Sequence, residues 1–205
     1  MDINLINEDQ LARLSQLISD AGTILITCHK SPDGDAIGAC LGWAEYLRSL
    51  GKDAVVIVPD QYPDFLKWMS NSEKIVRYDK HRDKADMLFK IADLIVCLDF
   101  NTPSRVEEMQ QALVNSPAHK ILIDHHINPD RERFTLSFSE TEISSASELT
   151  YQILMQTPMI GNDAGRLPEG SALALMTGMT TDTNNFSNSV YPSTLRMASD
   201  LIEAG

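Results

Sequence analysis

Three short apolar runs in this chain each end at residues able to hold a cation. Ile24-Leu25-Ile26-Thr27-Cys28 runs into His29, then Asp33 and Asp35. Leu94-Ile95-Val96-Cys97-Leu98 runs into Asp99, and Lys120-Ile121-Leu122-Ile123 runs into Asp124-His125-His126. Short apolar runs bounded by turn signals read as buried strands. A fourth segment, ending at Asp182, follows Leu175-Met176-Thr177-Gly178-Met179-Thr180-Thr181 and joins the pattern as another acidic strand-end loop. Three of the chain's five histidines sit in these segments.

The intervening sequence is helical in period. Asn7-Glu8-Asp9-Gln10 has the form of a capping box before Leu11, Leu14, Leu17 and Ile18, with Gly22 as the stop. Helices are expected from about Ala36 to Leu50, from Lys84 to Ile91, and from Pro103 at the first helical position through Val114. Further helices are expected over Ala146–Gln156, Gly170–Met179 and Pro192–Ala204. Ala54–Val58 and Glu73–Tyr78 read as strands, Pro63–Met69 as a short helix or turn, and Arg133–Phe138 as an edge strand. Strands alternating with helices predict an α/β domain: a mostly parallel sheet flanked by helices on both faces. Ligands of such sheets bind beyond the carboxyl ends of the strands, where the acids and histidines fall.

Composition narrows the function classes. The chain has 205 residues, 43% of them hydrophobic and 22% charged, enough for a sizeable core. A net charge of −12 argues against a long-duplex nucleic-acid footprint, though not against small anions gathered by bound cations. Met1–Gln10 is polar and no run approaches the roughly 20 apolar residues that cross a bilayer, so no membrane association is expected. Cys28, Cys40 and Cys97 read as reduced core thiols of a cytoplasmic protein. Met69, Met87, Met109 and Met179 read as packing residues, and His81 and His119 as surface residues.

In His29-Lys30-Ser31-Pro32-Asp33-Gly34-Asp35, Pro32 and Gly34 force a turn that lets two carboxylates enter one cavity as His29 approaches from the strand end. Taken singly, Asp33-Gly34 reads as a turn, and Asp99 or Asp182 as a cap. Jointly they suit a borderline-to-hard divalent ion, manganese first, with cobalt or magnesium admissible and zinc ranked lower.

These motifs resemble the DHH phosphoesterase family: His29-x-x-Pro32-Asp33-Gly34-Asp35-Ala36-Ile37-Gly38, then Leu98-Asp99, Asp124-His125-His126 and Gly178-x-x-x-Asp182-Thr183. Ser144-Ser145-Ala146-Ser147-Glu148-Leu149 is similar to a serine-rich segment of the family's oligoribonuclease (nano-RNase) and pAp phosphatase branch. The resemblance implies two divalent cations. One is held by His29, Asp33 and Asp99, the other by Asp35, Asp99, His125 and Asp182, with Asp99 bridging. His126 then faces the phosphate as a catalytic residue and Asp124 orients the neighbouring imidazole. His126, Ser145 and Thr183 are the expected substrate contacts.

The implied reaction is attack by a metal-activated hydroxide on short oligonucleotides, dinucleotides or 3′-phosphoadenosine 5′-phosphate. Pyrophosphate or polyphosphate hydrolysis, or a nucleotide-binding module without turnover, are the alternatives. Relatives also imply a homodimer. Two features depart from the pattern. Asn184-Asn185 follows Thr183 where relatives often carry glycine. The family's second, substrate-binding domain with its Gly-Gly-Gly-His segment finds no counterpart among ten dispersed glycines, so residues 1–205 are expected to be one catalytic domain ending near the interdomain linker.

Overall fold

The computed structural model describes residues 6–205, so the first half of the Met1–Gln10 segment lies outside the described residues. The order is α1 (Glu8–Asp20), β1 (Thr23–Thr27), α2 (Gly34–Ser49), β2 (Asp53–Val58), β3 (Val76–Arg77), α3 (Arg82–Ile91), β4 (Leu94–Leu98), α4 (Gln110–Asn115), β5 (His119–Asp124), β6 (Leu136–Ser139), α5 (Ala146–Met155), α6 (Glu169–Asp182) and α7 (Pro192–Glu203). Asn7 caps α1 through its side chain with Gln10 completing the capping box.

All six strands pair in parallel, in the order β3-β2-β1-β4-β5-β6. The chain works outward from β1 to β3, then crosses back to β4 and works outward the other way. Its direction therefore reverses between β1 and β4. At such a switch point the two following loops diverge and leave a crevice for ligand.

Alternation along the strands builds two cores. Ile24, Ile26, Val96, Leu98, Ile121 and Ile123 face the larger, which they share with α1, α2, α5, α6 and α7. Leu25, Ile57, Ile95 and Cys97 face a smaller one, shared with α3 and α4. Burial on both faces is why the strand sequences read as continuous apolar runs. The three cysteines are free and buried, as expected.

α1 ends at Asp20 with Ala21 as its cap, directly before Gly22, whose amide donates to Asp93 Oδ2. Other local expectations are corrected. The single helix expected from Pro103 to Val114 is split. A 3₁₀ segment, Pro103–Met109, is broken at Glu107 (φ 42°, ψ −111°) before α4 begins. Only Val76–Arg77 of the expected Glu73–Tyr78 strand pairs; Asp64–Leu66, by contrast, forms a 3₁₀ turn within Pro63–Met69, as expected. Met87 is 65% exposed, so it lies outside the packing set. Asp182 does not end a strand; it is the last residue of helix α6. Among the described residues no helix is long and apolar enough to cross a membrane.

Candidate metal centre

The loop after β1 supplies the first three candidate ligands. His29 is buried and its Nδ1 lies 2.7 Å from the Lys30 carbonyl, which can only accept, so Nδ1 carries the proton. Its Nε2 then faces Asp99 Oδ2 at 3.3 Å and Asp33 Oδ1 at 3.9 Å. Asp33 also caps α2, Oδ1 accepting from the Asp35 and Ala36 amides. The turn reading and the ligand reading of Asp33 are therefore compatible. Asp35, two residues on, points to the opposite side and is wholly buried: Oδ2 accepts from Ala146 N at 2.6 Å and Oδ1 from Ser147 N at 2.8 Å.

Asp99 follows β4 directly across the switch point. It holds a left-handed φ of 60°, a strained conformation that Asp tolerates better than most residues. Its carboxylate is shared: Oδ2 faces His29, and Oδ1 lies 3.4 Å from His125 Nε2. That Oδ1 is buried and accepts no hydrogen bond; of the four buried side-chain atoms without a partner among the described residues it is the only carboxylate oxygen.

The end of β5 provides the remaining imidazoles. His125 Nε2 sits 3.9 Å from Asp35 Oδ2 and 3.8 Å from Asp182 Oδ2. Asp124 is fully buried and pairs with His126, not His125: its Oδ1 lies 2.7 Å from His126 Nδ1, and Oδ2 accepts from the His126 amide at 3.2 Å. With Nδ1 committed to Asp124, the His126 ring keeps Nε2 for other partners.

Asp182 reaches the group because α6 crosses α2 at very short range. Gly34, Gly38 and Gly42 lie on one stripe of α2, where an added Cβ would fall 2.2 Å from Thr181 Oγ1, 2.6 Å from the Ala174 carbonyl and 2.6 Å from a Leu175 methyl. Gly178 on α6 is tighter still, with Ser147 Oγ 1.9 Å and Asp35 Oδ1 3.1 Å from where its Cβ would stand. These contacts bring the end of α6 to the start of α2.

Two triads result, His29–Asp33–Asp99 and Asp35–His125–Asp182, each offering ligand atoms within 4.8 Å of one another. A third grouping, Asp99–His125–His126, meets the same criterion, but its His126 nitrogen nearest Asp99 is the one bound to Asp124. Without a cation, the imidazoles carry the balancing charge. Burial pushes the His29 and His125 rings down, but Asp99 beside them outweighs it and raises them to about 10 and about 9. Burial likewise pushes Asp99 up, yet the two imidazoles hold it at about 2. Asp35 goes the other way: burial, then the Asp99 charge, raise its carboxyl well above the usual range. Such a crowded set of acids and imidazoles, with one orphaned carboxylate oxygen between the triads, fits divalent cations.

Ser145 and Thr183, the other expected substrate contacts, are buried beside this group. Ser145 is fully buried and its Oγ accepts from Glu148 N, capping α5. Thr183 is fully buried and donates to the Met179 carbonyl at 2.8 Å. Both hydroxyls are consumed by helix ends. What sequence reasoning missed is the clamp on Asp35 by the first amides of α5; the Ser145-x-x-Glu148 spacing of a helix start was its only signal. A cavity of about 690 Å³ between α6 and α7 contains none of these residues, so chemistry rather than volume marks the centre.

Comparison with known proteins finds relatives across most of the chain. The "Bifunctional oligoribonuclease and PAP phosphatase NrnA" of Thermus thermophilus is 31% identical over 189 residues, 90% of this chain and 51% of its own. The "Cyclic-di-AMP phosphodiesterase GdpP" of Geobacillus thermodenitrificans is 28% identical over 185 residues, 84% of this chain and 26% of its own. The chain thus spans about half the length of the one relative and about a quarter of the other. The crystal structure of an exopolyphosphatase-related protein from Bacteroides fragilis superposes with a TM-score of 0.92 at 38% identity, covering all of this chain and 58% of that one. Residues 23–179 match the model of the DHH family, N-terminal domain, so the loops that carry five of the six metal-ligand candidates, all but Asp182, fall inside the match: the chain belongs to the DHH family.

Proposed function

We propose that this chain is a metal-dependent phosphoester hydrolase acting on short oligonucleotides and on 3′-phosphoadenosine 5′-phosphate. The observation that carries the reading is Asp99, whose two oxygens face two separate His/Asp triads while one of them lacks any hydrogen-bond donor. Each triad combines one imidazole with carboxylates, a donor set that suits borderline-to-hard divalent ions such as manganese. Bound there, two cations would acidify water and stabilise charge on the phosphoryl oxygens.

The chain's own residues have separable tasks. The Lys30 carbonyl fixes the His29 tautomer so that Nε2 is the ligating nitrogen. Asp35 and Asp182 face His125 from two helices. Hydrolysis breaks the bond from phosphorus to the leaving oxygen, which needs a proton. His126, half-buried and oriented through Nδ1 by Asp124, would supply it from Nε2. Asp124 holds the ring as its charge changes.

The nucleotide reading draws on the 31% identity to NrnA across most of the chain. The 38% identity to the exopolyphosphatase-related protein favours polyphosphate or pyrophosphate as the second reading. Initial rates with Mn²⁺ or EDTA on 3′-phosphoadenosine 5′-phosphate, di- to pentaribonucleotides, cyclic di-AMP, pyrophosphate and polyphosphate separate them. Mn²⁺-dependent release of mononucleotides is expected. Activity confined to the inorganic substrates would overturn the nucleotide branch. A manganese-dependent rise in Tm with no turnover on any of them would leave only a binding module.

A further inference from the structure

Glu148 is fully buried on the first turn of α5 and forms no ion pair among the described residues. A buried carboxylate without a cation is costly unless donors surround it. Here Oε2 accepts from Ser144 N at 3.2 Å, from the Ser144 hydroxyl, and from Thr194 Oγ1 of α7 at 2.7 Å; Oε1 accepts from Gln152 Nε2 at 3.2 Å.

Helix capping does not require this arrangement. In a Ser-x-x-Glu capping box the Glu side chain returns to the amide of the capping Ser itself. Ser145 does cap α5, its Oγ accepting from Glu148 N at 2.9 Å, but the Glu148 carboxylate passes Ser145 and binds Ser144 and α7. The segment between these anchors is the one whose amides, Ala146 N and Ser147 N, each take a different oxygen of Asp35. Two short bonds to separate oxygens fix the plane of that carboxylate. A shift of the α5 start by about 1 Å would break at least one of them.

We propose that Glu148 is a positioning residue for Asp35: tied to Ser144 and to Thr194, it fixes the start of α5 so that the Asp35 carboxylate faces His125 and Asp182. The inference rests on the metal-centre reading above and deepens it. It predicts that Thr194, remote from the ligands and on the last helix, controls metal affinity in one triad only.

The test is Mn²⁺ binding by calorimetry on the full chain, beside metal-free thermal melts, for wild type, Thr194→Val, Thr194→Ser and Glu148→Gln. Two Mn²⁺ are expected in wild type. Thr194→Val should weaken one of them about 10-fold and Glu148→Gln up to about 100-fold, with the other unchanged, and Thr194→Ser should restore the loss. Should Glu148→Gln fail to fold, the Thr194 pair decides the matter alone. Lower metal-free Tm with both affinities as in wild type would make Glu148 a packing residue and overturn this inference alone. A wild-type chain that binds no Mn²⁺ would overturn the metal-centre reading and this inference with it.

Discussion

The two triads meet at Asp99, a member of one that faces His125 of the other, but they are built differently. His29–Asp33–Asp99 comes from the loops after two adjacent strands, and Asp33, its side chain 60% exposed, doubles as the cap of α2. Asp35–His125–Asp182 gathers the start of one helix, the end of a strand and the end of another helix, around a carboxylate that is wholly buried and held by α5. A site made of one loop crossing can adjust to a changed ligand. A site made of three packed elements has less slack, because packed interiors transmit displacement.

The largest effect should come from the residue at which they meet. Asp99→Ala is expected to abolish the Mn²⁺-induced rise in Tm and to lower Mn²⁺-dependent hydrolysis on the order of 10³-fold, the rate equivalent of several kcal/mol of lost charge stabilisation. A mutant that keeps the wild-type Tm response would show that Asp99 does not bridge.

Gly178→Ala should separate the triads. Its Cβ would collide with Ser147 and crowd Asp35, so the helix crossing must open, at about 1–3 kcal/mol in urea unfolding. Binding at the Asp35 triad should weaken while the His29 triad keeps its affinity. Equal loss at both sites would mean that the triads do not behave as distinct structures.

pH probes the charge that both share. His29 and His125 sit at about 10 and about 9 when folded, above the 6.5 of a free imidazole. Their contribution to stability is therefore full below pH 6.5 and is lost as pH rises through 9 to 10. Metal-free Tm should fall over that window. With Mn²⁺ bound the ligating rings are neutral, so the fall should disappear and the affinity should rise with pH. A metal-free Tm that is flat from pH 6.5 to 10 would contradict the imidazole–Asp99 pairing. The smallest effect is expected at Asp33→Asn, which keeps the α2 cap: about a 10-fold loss of metal affinity, less than for Asp35→Asn measured in the same titration. The reverse ranking would invert the comparison.

What could be read early and what could not follows the same division. His29, Asp99 and the Asp124-His125-His126 run each stand at the end of an apolar strand, so a one-dimensional pattern of burial and punctuation marks them. Asp182 carries no such mark. The residues before it read as a helix, which they form, packed against α2, so the strand-end grouping of this acid has no strand behind it. The break at Glu107 was equally hidden, since Pro103–Val114 has helical composition and only its left-handed φ separates the two halves. Ser145 and Thr183 are expected at the substrate only through the family resemblance, and nothing local in the sequence marks their hydroxyls as engaged at helix ends.

The sequence by itself determined the parallel sheet and the identity of the acids and imidazoles, because strand periodicity and chain punctuation are local properties of neighbouring residues. Tertiary structure alone decided their partnership. Asp124 serves His126 rather than His125, Asp35 is clamped by amides more than a hundred residues away, and Asp182 arrives on a helix that glycines allow close. These depend on distances between elements, and no spacing along the chain encodes a distance across it.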